Sequence, residues 1–98
     1  MQTEPEILQL DGVLGLRGIG TLHTQLLRAV REHTAIRIDC TNADSIDASF
    51  IQLLLAIRRT AEQDGVRLEI AVPPDGVLHR ALLRCGLSPG ALSGSTEP

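Results

Sequence analysis

A single phenylalanine is the whole aromatic content of this 98-residue chain; tryptophan and tyrosine are absent. Single-stranded nucleic acid is held on aromatic platforms, so that mode of recognition is excluded. A basic surplus is lacking too. Nine basic against twelve acidic side chains leave a net charge of −3, whereas binding a phosphate backbone needs a basic patch. No apolar run approaches the ~20 residues that span a bilayer. The acidic start MQTEPEILQL has no signal-like segment, which leads us to expect a cytoplasmic protein without direct membrane insertion. Cys40 and Cys85 form no CxxC pair. They are expected to be buried, reduced and apolar in role, a disulfide being the alternative.

The motifs of common catalytic sites are missing as well. Gly18-Ile19-Gly20 opens a dinucleotide fingerprint, but His23 stands where its third glycine belongs, and no GK[ST] follows. The glycines at 12, 15, 18 and 20 therefore read as a flexible turn region ahead of a helix. His23, His33 and His79 neither pair at i, i+4 nor lie at ligand spacing from a cysteine, which argues against zinc. GxSxG is absent, and nothing orients a histidine towards Ser45 or Ser49. Asp39, Asp44 and Asp47 resemble a Mg²⁺ or acid/base cluster, but an Asx-turn or N-cap role for Asp44 and Asp47 is the more economical reading. No catalytic residue, cofactor site or metal site is assigned. The expectation is a protein that is not an enzyme.

What the chain does contain is aliphatic. With 43% hydrophobic residues, one core of Leu, Ile, Val and Ala is affordable, and the length fits a single domain. Glu6 to Leu10 is a short strand stopped by Asp11-Gly12, and Val13 to Leu16 extends or returns it. From about Gly20 the period turns helical, with Leu22, Leu26, Ala29 and Val30 on one face and Thr21 as candidate N-cap. Ile36 to Cys40 alternates as a strand and passes through the polar stretch Thr41 to Ser45. A second helix then runs from near Ser49 to about Gln63, closed by Asp64-Gly65. VRLEIAV (66–72) is a strand by its period of two. Val77 to Cys85 is a short helix ended by Gly86. The order predicts an α/β domain over residues 1–87 with a mostly parallel sheet, followed by a loosely held tail, 88–98.

The second helix carries too much apolar surface for one stripe. Phe50, Leu53, Leu54, Ile57 and Ala61 form a continuous face, while Ile51 and Leu55 lie roughly 100–140° round from Phe50. This flank either packs on a neighbouring helix or forms an exposed patch that docks a protein partner.

Segment 36–57, IRIDCTNADSIDASFIQLLLAI, resembles the signature of STAS domains, shared by sulphate transporters and anti-sigma-factor antagonists. Ile36, Ile38, Asp39 and Cys40 match the strand motif, and Asp47-Ala48-Ser49-Phe50 matches the motif that opens the helix. Gly65, the VRLEIAV strand and the Val77 to Leu87 helix with Gly86-Leu87 fit as well. The resemblance implies a four- or five-stranded mixed sheet with helices mostly on one side, the first two segments forming a hairpin. It also implies a partner-binding surface made of Asp44, Ser45, Asp47, Ala48, Ser49, Ile51, Gln52 and Leu55. Two departures stand out. Ala48 takes the place of the hydroxyl that switching members phosphorylate, leaving Ser49, one residue on, as the candidate for modification. Phe50 replaces the usual glycine. The chain thus resembles the non-switching members. Its expected partner is an anti-sigma-like kinase or a chemosensory protein, or alternatively the ATPase of an ABC-type lipid transport system; a homodimer through the apolar flank would present the same pattern.

Overall fold

Alternating branched side chains become the central strand. In the computed structural model, which describes residues 4–92, β3 (Ala35–Asp39) buries Ile36 and Ile38 and leaves Arg37 exposed. β1 (Glu6–Gln9) and β5 (Arg67–Ile70) flank it, both in parallel. Leu8, Ile38 and Ile70 lie side by side in register, which makes one face of this ladder apolar. Ile7, Arg37 and Glu69 form a row on the opposite face, which is exposed.

β2 (Gly12–Leu14) and β4 (Ala43–Ile46) make a second ladder, also parallel. The expected hairpin between the first two segments is therefore not formed. Asp11-Gly12 is a strong turn pair, and Gly12 does take φ +81°, but it kinks the chain instead of reversing it. The Leu10 N–H donates to the Asp39 carbonyl at 2.9 Å, which keeps the chain alongside β3 until β2 takes up β4. β4 itself occupies most of the stretch read as a polar loop. Its Asp44 and Ser45 are exposed, and only Ile46 is buried.

Three helices complete the α/β domain. α1 (Ile19–Glu32) buries Leu26, Ala29 and Val30, as its period predicts. Its N-cap is Gly18, at φ +80° and without a side-chain bond; Thr21 lies inside the helix, not at its cap. α2 (Ala48–Gln63) is bounded by Asp47 and by Gly65 at φ +71°. α3 (Val77–Arg84) turns Leu78, Ala81 and Leu82 inward. α2 packs against α1, α3 and β5. That enclosure explains why its apolar arc exceeds the stripe a one-sided helix requires.

Part of the segment read as a tail is described. Pro89–Leu92 forms a 3₁₀ turn against α2 and α3, and Leu92 is only 1% exposed. The remainder of the expected tail, 93–98, lies outside the described residues. Both cysteines are free thiols: Cys40 is buried as expected, whereas Cys85 is exposed at the end of α3. No helix among the described residues is long and apolar enough to cross a membrane.

Candidate functional site

Asp47 fixes the geometry of the loop that the sequence singles out. Its backbone is extended, and its N–H donates to the Leu14 carbonyl at 3.1 Å, tying the end of β4 to β2. Carboxylate Oδ1 accepts the Phe50 N–H at 3.2 Å, the usual bond of a helix N-cap. Oδ2 reaches sideways and accepts the Leu16 N–H at 3.0 Å. One side chain thus starts α2 and pins the β2–α1 loop. The approach is close enough to dictate a neighbour: a Cβ on the buried Gly15 would collide with Asp47 Oδ2 and sit 2.6 Å from its Cγ. The Leu16 N–H does most to hold the Asp47 carboxyl below its ordinary acidity range; burial opposes it by less, and the Phe50 and Ser49 amides each lower it by less again.

Around this latch the candidate surface residues separate into two groups. Asp44, Ser45, Asp47, Ala48 and Gln52 are exposed, and Ser49 and Leu55 are half-buried. Ala48 and Gln52 stand one helical turn apart, with Leu55 and Ala56 a turn further on, so they form the outer stripe of α2. Ile51 does not belong with them. It is 1% exposed and sits in the core cluster, which corrects its assignment to the docking surface: the Ile51 side of the flank packs inward because α2 has helices beside it. Two exposed apolar residues outside the sequence-based set adjoin the group. Val13, 68% exposed, lies opposite Ser45 in the β2–β4 register. Leu16, 69% exposed, follows Gly15 and hangs from the Asp47 latch. Their signal in the sequence is the alternation of leucine and valine with glycine in DGVLGLRG, which is the pattern of a backbone held close to another segment.

The other polar groups nearby have structural duties. Asp39 Oδ1 accepts the Thr41 N–H at 2.9 Å, closing an Asx turn after β3. The Thr41 hydroxyl and amide hold the Asp39 carboxyl below its ordinary value, and Arg37 contributes less. Arg84 donates from Nη2 to the Ile46 carbonyl at 3.2 Å, bracing α3 against the end of β4. Burial pushes the Cys40 thiol up to about 12, so it is a poor nucleophile. Among the described residues no group of three or more His, Cys, Asp and Glu side chains is arranged to hold a metal ion. What this end of the molecule offers is an exposed, rigidly backed surface.

The fold and the motif at the start of α2 define an α/β interaction domain. The family model described as "Mlab, STAS domain" matches residues 1–89, and the chain belongs to that family of protein-interaction modules. Four solved chains also match. One, described as "Crystal Structure Analysis of Mglu", is 25% identical and superimposes with a TM-score of 0.62 over 70% of this chain. The match covers 17% of that longer chain, so this domain corresponds to a small part of it. No curated protein matches the chain.

Proposed function

We propose that this STAS domain is a non-enzymatic, cytoplasmic docking module of a bacterial regulatory system, binding its partner in a state that phosphorylation at position 48 does not control. The observation that carries this reading is the alanine itself. Ala48 is exposed at the N-terminal end of α2, where switching STAS domains carry a hydroxyl, and it lies on a surface shared by Asp44, Ser45, Asp47, Gln52, Val13 and Leu16. A phosphate there would add nearly two negative charges beside a helix N-terminus. Without it the surface keeps one electrostatic state. The partner under this reading is an anti-sigma-like kinase or a chemosensory protein. Ser49 is half-buried at the next position, a poorer target for a kinase than an exposed residue.

A second reading is favoured by the family description, Mlab: an accessory subunit of an ABC-type lipid transporter that binds its ATPase. Both readings use the same surface. Co-purification and calorimetric titration with the products of neighbouring genes separates them, an ATPase supporting the second and a kinase-like or chemosensory protein the first. Leu16→Asp and Gln52→Arg are expected to weaken the interaction at least about tenfold, a loss of ~1.4 kcal/mol, with the circular dichroism spectrum unchanged. Full-strength binding by both variants would remove this surface from the interface.

A further inference from the structure

Nothing among the described residues pairs with the outer edge of β1, and its backbone pattern is self-complementary. Among the described residues β1 pairs only with β3. The Leu10 N–H donates to the Asp39 carbonyl, and backbone groups alternate sides along a strand. Glu6, Leu8 and Leu10 therefore aim their N–H and C=O groups at β3, while Ile7 and Gln9 aim theirs outward. Ile7 is also 60% exposed, on the helix-free face of the sheet. An unpaired edge is a template for another strand unless lysine, a bulge or an inward-pointing charge blunts it. β1 has its shortness, Pro5 at its entrance and Glu6 on the face of Leu8, but neither a lysine nor a bulge.

We propose that this edge binds a second copy of the chain, β1 against β1, antiparallel across a two-fold axis. The register follows from two requirements: facing residues must share a face of the sheet, and outward backbone groups must meet. With Ile7 opposite Ile7 of the second copy, the pair exchanges both backbone bonds. Each Gln9 N–H then reaches the carbonyl of Pro5 in the other copy, while the Gln9 carbonyl, which Pro5 cannot serve as a donor, is left to water at the end of the ladder. Glu6 faces Leu8, so no like charges oppose each other. The two exposed isoleucines cover one another. Centring on Leu8 instead would make as many backbone bonds but would set each Ile7 against Gln9. The product is one continuous six-stranded sheet with both helix layers on the same side. Only a single strand pair is buried, well short of the about 1,200–2,000 Å² of a stable complex, so the dimer is weak and concentration-dependent.

Sedimentation equilibrium of the whole chain, from micromolar to millimolar concentration, tests this. The expected mass rises from one chain towards two, with deuterium exchange at the Ile7 and Gln9 amides slowing in step. Ile7→Pro removes only an outward N–H and leaves the β1–β3 ladder intact; it should abolish association while the core resonances stay unchanged. Ile7→Lys, which sets like charges against each other, should weaken association about tenfold without altering the backbone. A monomer at millimolar concentration overturns the proposal. So does a dimer that survives both variants, or protection of these amides only when a different protein supplies the strand. β1 lies apart from the start of α2, so none of these failures bears on the docking surface.

Discussion

Ile51→Ala should cost the domain about 2–5 kcal/mol, the usual penalty for emptying a filled aliphatic site. The reasoning is local. Ile51 is enclosed between α2 and its neighbours, and its loss leaves a cavity in a core with no aromatic ring other than Phe50 to relax into it. For a chain this short the urea dependence is about 1–1.5 kcal/mol per molar, at the low end of the usual range. A loss of about 3 kcal/mol then lowers the unfolding midpoint by about 2–3 M with the slope unchanged. Leu16→Ala is the matched control. Its side chain is mostly in water, so stability should stay within about 0.5 kcal/mol, less than about 0.5 M of urea. The two leucine-sized truncations should therefore separate by assay: the first moves the denaturation curve and the second moves partner affinity. If Ile51→Ala unfolds at the wild-type midpoint yet loses partner binding, Ile51 is on the surface and the packing of α2 described above is wrong.

Gly15→Ala forces a methyl group against the Asp47 carboxylate and should destabilise by about 1–3 kcal/mol; Asp47→Ala in the same chain makes room, so urea unfolding should show the two losses to be less than additive. The Asp47 carboxyl should titrate below 3.8, its ordinary value. Because the folded form is the more acidic, its stabilising effect is complete above the unfolded value and disappears as pH falls through the folded one. Carbon-13 carboxyl shifts give the midpoint, the Leu16 amide should move with it, and a midpoint at or above 3.8 contradicts the latch. In the native state only the exposed Cys85 should react rapidly with a thiol reagent at mildly alkaline pH, while Cys40, pushed up to about 12, becomes reactive on unfolding; equal native rates would contradict the burial of Cys40.

The parts of the fold written in hydrophobic periodicity were legible from the residues alone. β3 and β5 follow from alternation, and α1, α2 and α3 from apolar spacing and from Gly65 and Gly86. The parts that depend on long-range backbone pairing were not. Ala43–Ile46 reads as a polar loop because Asp44 and Ser45 face solvent; it is a strand only because β2 lies beside it. Asp11-Gly12 reads as a hairpin turn, and it is the bond from Leu10 to Asp39 that carries the chain onward. At the candidate site the N-cap role of Asp47 was legible three residues ahead of Phe50. Its second bond, to Leu16, spans thirty-one residues and leaves no local trace beyond a glycine at 15. Leu16 and Val13 were missed for that reason. Ile51 was misplaced because helical angle alone does not say how many neighbours a helix has.

The double grip of Asp47 has a thermodynamic consequence for whatever binds here. Two loops that would otherwise fluctuate independently are joined by one carboxylate, so the surface loses much of its freedom during folding and little of it on association. Ordering costs that usually oppose complex formation are already met. Binding should then be limited by encounter and orientation, with the amides of Leu16 and Phe50 exchanging as slowly in the free domain as in the complex. Lowering the pH far enough to protonate that single group would loosen both loops together, turning a rigid face into one that must be ordered by its partner.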